Sequence, residues 1–219
     1  MEKKILIITG GKAEKESIIK KAASEADYII CADGGAKSAF KLGVKPDIII
    51  GDFDSLPSAL LKEAVFKGVT IQKHSPCKDK SDLELAVDYA LSLKPLEITI
   101  AGALGRRIDH TLFNIFLLKK ALCKKVPAKI LSSEWEIFLI NKKAVIRGRK
   151  NFILSLIPLE GDCHGICLKG VKYILRNETL VPGNTRGLSN IILSEVAEVK
   201  LMSGMLIAML GRNGAGGSK

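Results

Sequence analysis

Aromatic residues make up only 5% of this chain, and Trp135 is its single tryptophan. So few rings argue against base-stacking as the main mode of binding. Long apolar runs are also missing. The longest, such as Ile5 to Ile8 and Met205 to Leu210, fall far short of a bilayer span, so no membrane helix is expected. The opening Met1-Glu2-Lys3-Lys4, followed by a short Ile/Leu run ending at Thr9-Gly10-Gly11, reads as a first strand and not as a secretory leader; a cytoplasmic protein is the expectation. Five cysteines, at positions 31, 77, 123, 163 and 167, are an odd number without paired spacing, which predicts reduced thiols. Cys163-His164-Gly165-Ile166-Cys167 lacks a second ligand pair at matching spacing and reads as strand, not as a zinc site. No Gly-Lys-Ser/Thr follows a glycine loop, and no Gly-x-Gly-x-x-Gly turn occurs. The two commonest nucleotide-binding motifs are therefore excluded.

What remains is the composition of an ordinary globule, 47% hydrophobic and 26% charged, long enough at 219 residues for one large domain or two modest ones. A net charge of +11 points to anionic partners, either nucleic acid or small phosphorylated compounds. The lysines are scattered through 12–21, 119–125 and 142–150 without interleaved aromatics. That is the pattern of a solvated basic surface, and no nucleic-acid partner is expected.

Short β-branched runs at 5–8, 28–31, 48–50, 69–72, 98–101 and 129–131 alternate with segments that can hold a helix, which predicts an α/β domain with a parallel sheet. Ala36 to Leu42 closes on Gly43, and Ser55 to Lys67 carries Pro57 in its first turn and closes on Gly68. Ser81-Asp82-Leu83-Glu84 has the form of a capping box. After about Ser133 the pattern changes to strand-like runs at 136–140, 144–146, 152–157, 166–168, 173–175, 191–193, 196–201 and 205–210, separated by turns. That predicts an all-β sandwich. The expected organisation is an α/β domain over 1–133, a β-sandwich over 134–211 and a disordered Gly-rich tail over 212–219.

The chemistry gathers at Asp47-Ile48-Ile49-Ile50-Gly51-Asp52-Phe53-Asp54-Ser55, where a short buried strand runs into two carboxylates one residue apart. If the chain stays extended, Asp52 and Asp54 share a face. In an open α/β sheet, ligands bind beyond the carboxyl ends of the strands. Those ends carry Thr9-Gly10-Gly11, Asp33-Gly34-Gly35, Gly51 to Asp54, Lys78 to Asp82, and Gly102 to His110. Singly, each has a plainer use. Asp33-Gly34 is a common turn pair, Asp82 suits a helix start, and Asp109 suits an N-cap. Together, several carboxylates on one rim repel bare phosphate but accept it through Mg²⁺, with Lys78 and Arg107 supplying direct positive contacts.

These residues resemble the thiamine pyrophosphokinase family. The likeness rests on Ala32-Asp33-Gly34-Gly35-Ala36, on Pro46-Asp47 through Gly51-Asp52-Phe53-Asp54-Ser55, on Lys78-Asp79-Lys80-Ser81-Asp82-Leu83-Glu84 and on Gly102 to His110. They follow in the family's order, with a weaker match at Gly187-Leu188-Ser189-Asn190. The resemblance implies transfer of pyrophosphate from ATP to the hydroxyethyl oxygen of thiamine, giving AMP and thiamine diphosphate with Mg²⁺ as cofactor. It also implies a homodimer with active sites at the subunit interface. Carried over by motif, Asp52, Asp54 and Asp82 are the catalytic and metal-holding residues. Asp33, Gly34, Lys78, Ser81, Arg107 and Asp109 bind ATP and its phosphates, and Ser189 and Asn190 bind thiamine. Arg106, Ser81 and Ile191 stand where the family commonly has Gly, Thr and Glu, the last putting the details of thiamine recognition in question. Other readings of the same residues are a pyrophosphokinase acting on a hydroxymethyl pterin, a metal-dependent nucleotide-sugar transferase and a non-catalytic nucleotide-binding module.

Overall fold

The computed structural model describes residues 3–11, 15–75, 79–105 and 107–212, and the chain packs as two compact units, residues 1–133 and 134–219. The first holds β1 (Lys4–Thr9), α1 (Glu16–Ser24), β2 (Tyr28–Ala32), α2 (Gly35–Lys41), β3 (Ile48–Gly51) and α3 (Ser58–Phe66). It continues through β4 (Thr70–Lys73), α4 (Asp82–Ser92), β5 (Glu97–Ala101), α5 (Ile108–Cys123) and β6 (Ala128–Leu131). Its strands run in the order β6-β5-β1-β2-β3-β4, and every pair among them is parallel.

Helices cover both faces of a parallel sheet, so its central strands have no side to give to water. Ile5 to Ile8 and Ile48 to Ile50 are accordingly buried throughout. Leu6, Ile8, Cys31 and Ile49 join Ile19, Ala36, Ala39 and Ala64 in one core. Helix α4 packs against β1, β2 and β3 with Leu83, Ala86, Val87 and Ala90 buried. After α2 and α3 the chain turns away at Gly43 and Gly68 with φ of +71° and +73°, as the sequence predicts for these helix ends. Pro57 caps α3 from just outside it, so the helix begins at Ser58.

From β1 the chain steps through β2, β3 and β4 to one side, then returns to place β5 and β6 on the other. The loops after β1 and β5 therefore diverge in opposite directions, which opens a crevice at the carboxyl edge. The walls there are backbone: a β-carbon on Gly11 would overlap the carbonyl oxygen of Gly102, and one on Gly35 the carbonyl oxygen of Ile8.

The second unit holds β7 (Trp135–Ile140), β8 (Lys143–Arg147), β9 (Phe152–Pro158), β10 (Cys163–Lys169), β11 (Glu178–Leu180), β12 (Asn190–Ile191), β13 (Val196–Lys200) and β14 (Leu206–Arg212). Four strands run β12-β9-β14-β7 and four run β11-β10-β13-β8, with antiparallel pairing. Leu154, Leu156, Leu206 and Ala208 from the first set share one core with Ile166, Leu168, Ala197 and Val199 from the second. That is the expected sandwich.

Three expectations need correction. Tyr173 to Leu175 is not a strand, and the strand nearby lies instead at Glu178–Leu180. Arg212 belongs to β14 and not to a tail, while residues 213–219 lie outside the described residues. Asp109 sits in the first turn of α5, whose N-cap is Arg107. Cys31, Cys123, Cys163 and Cys167 are free thiols, and the Cys163 to Cys167 segment is strand, with Cys163 Sγ donating to the Met205 carbonyl at 3.3 Å. Among the described residues no helix is long and apolar enough to cross a membrane.

Candidate active site

A cleft of about 960 Å³ lies at this carboxyl edge in the first unit. It is lined by the loops after β1, β2 and β5, by Ser55, and by the first turns of α4 and α5. The size suits a nucleotide-scale ligand.

Asp33 leaves β2 with its N–H bonded to the Ile50 carbonyl at 2.8 Å and turns with φ of +39°. Opposite it, β3 ends on Gly51, where a β-carbon would come within 3.0 Å of that of Asp33. Glycine is what lets the two strand ends close up. Asp52 follows, then Phe53 with φ of +67° and a buried ring, so the chain does not stay extended. The alternation that would put Asp52 and Asp54 on one face is lost. Asp54 is exposed, and its N–H donates to Asp52 Oδ1 at 3.2 Å. From the other side, Ser81 caps α4 by accepting the Glu84 N–H at 3.2 Å, which sets Asp82 in the first turn. Only half of the predicted capping box forms in this way, because the Glu84 carboxylate pairs with Lys120 at 2.8 Å.

These elements bring carboxylate oxygens of Asp33, Asp52 and Asp82 within 4.8 Å of one another. Among the described residues no other group of three or more His, Cys, Asp or Glu side chains converges so closely. Three like charges at this range repel. Among the described residues Asp33 Oδ1 is moreover buried with no hydrogen-bond partner, an arrangement that costs free energy in a protein left to itself. Both features fit a hard divalent cation, whose oxygen shell spans about 4.2 Å for octahedral Mg²⁺ and is usually part water. The residues present suit the metal. Asp54 lies outside this triad, whereas Asp33, expected at the phosphates, lies within it.

Arg107 and Asp109 stand exposed at the start of α5, joined by a fork of 2.6 and 3.2 Å. The guanidinium, helped by the His110 backbone N–H, holds the Asp109 carboxyl at about 2, and the carboxylate in turn raises Arg107. Two further side chains of α5 fasten the loop after β5: Asn114 Nδ2 donates to the Ala103 carbonyl at 2.7 Å, and Thr111 Oγ1 accepts the Gly105 N–H at 3.1 Å. Gly34 and His110 also line the cleft. Lys78 and Arg106 lie outside the described residues.

Sequence reasoning gave no role to Ser55, Thr111 or Asn114. The last two act on backbone in a loop whose path no local pattern specifies.

In the second unit Asn190 is only 5% exposed and its amide is committed to backbone. Oδ1 accepts the Tyr173 N–H at 2.9 Å and Nδ2 donates to the Tyr173 carbonyl at 2.7 Å. Ser189 is exposed, with φ of +57° and its N–H on Ser155 Oγ at 3.0 Å. The Trp135 ring covers Gly211 of β14, where a β-carbon would meet it at 2.5 Å, so this tryptophan is part of the sandwich packing.

Two family models match in succession: "Thiamin pyrophosphokinase, catalytic domain" over residues 19–130, and "Thiamin pyrophosphokinase, vitamin B1 binding domain" over residues 143–206. The chain belongs to the thiamin pyrophosphokinase family. The first match takes in Asp33, Asp52, Asp54, Ser81, Asp82, Arg107 and Asp109, and the second takes in Ser189 and Asn190. A thiamine pyrophosphokinase of Bacillus subtilis is 28% identical, with 94% of this chain and 97% of that protein covered. A thiamine pyrophosphokinase of rice (Oryza sativa subsp. japonica) is 27% identical over 84% of this chain and 79% of its own. A crystal structure of thiamine pyrophosphokinase from Bacillus subtilis superposes with a TM-score of 0.85 at 27% identity, covering 96% of this chain and 99% of the other. The fold described above, an α/β unit followed by a β-sandwich, is thus that of solved thiamin pyrophosphokinases.

Proposed function

We propose that this member of the thiamin pyrophosphokinase family transfers pyrophosphate from ATP to the hydroxyethyl oxygen of thiamine. The observation that carries the reading is the convergence of Asp33, Asp52 and Asp82, one of them with a carboxylate oxygen buried and unpartnered among the described residues, at the edge of a cleft in a chain of this family. In the reaction the alcohol oxygen bonds to the β-phosphorus, the bond from that phosphorus to the oxygen bridging it to the α-phosphorus breaks, and AMP and a proton are released. Catalysis of this type is mostly positioning and charge neutralisation.

Asp33, Asp52 and Asp82 hold Mg²⁺ in this reading, and Asp54 is a further carboxylate brought to it from the exposed turn. A metal held there would supply positive charge that offsets the charge developing on transfer. Ser81 and Gly34 shape the phosphate end of the cleft. Arg107 reaches the phosphates as a planar donor, oriented until then by Asp109, and Lys78 adds a second cation. Ser189 and Asn190 belong to the thiamine-binding part, Asn190 through its hold on the Tyr173 backbone. The pterin, nucleotide-sugar and non-catalytic readings find no support in the family matches.

We also propose a homodimer in the cytoplasm, with active sites at the subunit interface. Support for the dimer comes from α5, whose Ile108, Leu112, Phe113 and Phe116 are all exposed along one helical stretch. Analytical ultracentrifugation checks it, a monomer at all concentrations being the adverse result.

The deciding experiment is incubation with ATP, Mg²⁺ and thiamine. AMP and thiamine diphosphate in equal amounts are expected. AMP formed only with another alcohol overturns the substrate, and no AMP with any alcohol overturns the reaction.

A further inference from the structure

We propose that Ser55 is a positioning residue that fixes the Asp33 carboxylate, with one oxygen committed to the protein and the other presented to the divalent cation. The inference rests on the reading of Asp33, Asp52 and Asp82 as the metal cluster, and it adds a residue to which that reading gives no part. Ser55 Oγ donates to Asp33 Oδ2 at 2.7 Å, a charge-assisted bond of the stronger kind. Among the described residues Asp33 Oδ1 is buried without a partner. The two oxygens of one carboxylate thus stand in opposite conditions, and a single hydroxyl makes the difference. Without it, the carboxylate is free to rotate about Cβ–Cγ and lose the orientation that the cluster needs.

The backbone is built around this contact. Phe53 turns with φ of +67° and buries its ring, and the Leu56 N–H closes the turn on the Phe53 carbonyl at 3.2 Å. Ser55 is carried back against the end of β2 as a result. At Gly34 even a β-carbon would stand 3.4 Å from Ser55 Oγ, an ordinary contact, so the hydroxyl is not crowded from that side. One short turn therefore makes two contributions to the cluster: the carboxylate of Asp52 and the hydroxyl that aims Asp33. A hydroxyl that only stabilised the turn would affect unfolding and leave metal affinity alone.

The test uses the full-length protein and Mn²⁺ as the probe, with free Mn²⁺ followed by electron paramagnetic resonance in the absence of nucleotide. Ser55→Ala and Ser55→Thr are compared with the unaltered chain, and thermal unfolding in EDTA reports on folding. The expectation is that Ser55→Ala weakens Mn²⁺ binding about 10-fold, as loss of an outer-shell partner does, and that Ser55→Thr stays within about twofold of the unaltered chain. Ser55→Ala loses a charge-assisted bond and is expected to unfold at a somewhat lower temperature, while all three chains stay folded at the temperature of the titration. In parallel, the Mg²⁺ concentration giving half-maximal AMP release rises for Ser55→Ala while the rate at saturating Mg²⁺ changes little. Equal Mn²⁺ affinity for Ser55→Ala and the unaltered chain overturns the role of Ser55 and leaves the cluster standing, and so does a Ser55→Thr variant as weak as Ser55→Ala. An unaltered chain that makes AMP yet takes up no Mn²⁺ overturns the cluster itself, and the inference with it.

Discussion

Asp52 and Asp54 are separated by one residue and by a sharp difference in surroundings. Asp52 is half-buried, with one oxygen on the Asp54 N–H, while Asp54 is exposed. Asp52 belongs to the converging triad, while the proposed metal set adds Asp54 from the exposed turn beside it. Asp54→Ala is expected to lower turnover about 100-fold or more, the effect of removing part of the charge neutralisation at the transferring group, with the fold unchanged by circular dichroism. Near-normal activity with Mg²⁺ would remove Asp54 from the site. Much of the site is legible in the sequence because its residue types follow strand ends, where an open sheet binds ligands. What is not legible depends on backbone torsion. Nothing in Gly-Asp-Phe-Asp announces that phenylalanine adopts a left-handed conformation, and that conformation decides which carboxylates converge. Asp33 likewise reads as a turn residue until the Ile50 carbonyl and Gly51 are seen to draw it toward Asp52.

At the scale of elements, helix ends and parallel strands are predictable from local patterns, while Tyr173 to Leu175 is misread. Tyr-Ile-Leu has the composition of a strand, but Asn190, distant in sequence, takes up the backbone bonds of Tyr173 that a neighbouring strand would otherwise supply. The start of α2 rests on β1 so closely that Gly35→Ala places a methyl group onto the Ile8 carbonyl. A loss of about 3 kcal/mol in urea unfolding is expected, since the obstacle is backbone and cannot rotate away.

Helices α4 and α5 are tied by Lys120, which bonds Glu84 at 2.8 Å and Asp88 at 2.7 Å, while Lys80 reaches Asp88 at 2.8 Å. Partial burial pushes the Asp88 carboxyl up, but the two ammonium groups more than offset this and hold it below its ordinary value. Burial likewise works against the charged form of Lys120, and the two carboxylates more than reverse it. The Asp88 contribution is therefore present above about pH 4 and is lost as pH falls through its lowered value. That of Lys120 is present below about pH 10.4 and is lost as pH rises through its raised value. Lys120→Met should cost about 1 kcal/mol between those limits, discounted for the partial exposure of the network, and less in acid. Unfolding measured across pH checks the profile, and a constant difference down to pH 2 would contradict it.

For the molecule as a whole the formal charge is +11, while the carboxylates of Asp33, Asp52 and Asp82 converge at the edge of the cleft. Long-range attraction then acts on the Mg²⁺-ATP complex, which is itself anionic, and salt screens it over about 8–10 Å. KM for ATP should rise about twofold or more between low and physiological ionic strength, with kcat little changed. An unchanged KM would confine the positive surface to solubility. The two-unit organisation was legible in the sequence because helical segments cease near Ser133. The register of the β-sandwich was not, since short antiparallel strands are set by distant partners.

The converging carboxylates also bear on how readily this chain unfolds. Folding must bring Asp33, Asp52 and Asp82 together against their mutual repulsion and leave one oxygen without a donor among the described residues, a local frustration that suits the proposed metal site and opposes stability. Removing a charge should reverse the balance. In EDTA, Asp52→Asn is expected to unfold about 2–4 °C above the unaltered chain, corresponding to roughly 1 kcal/mol in a protein of this size. Mg²⁺ and ATP should raise the midpoint of the unaltered chain and leave the variant almost where it was, because only a ligand that binds the folded form shifts the equilibrium. The more heat-resistant protein would then be the inactive one, and a screen that selected on melting temperature alone would select against the enzyme.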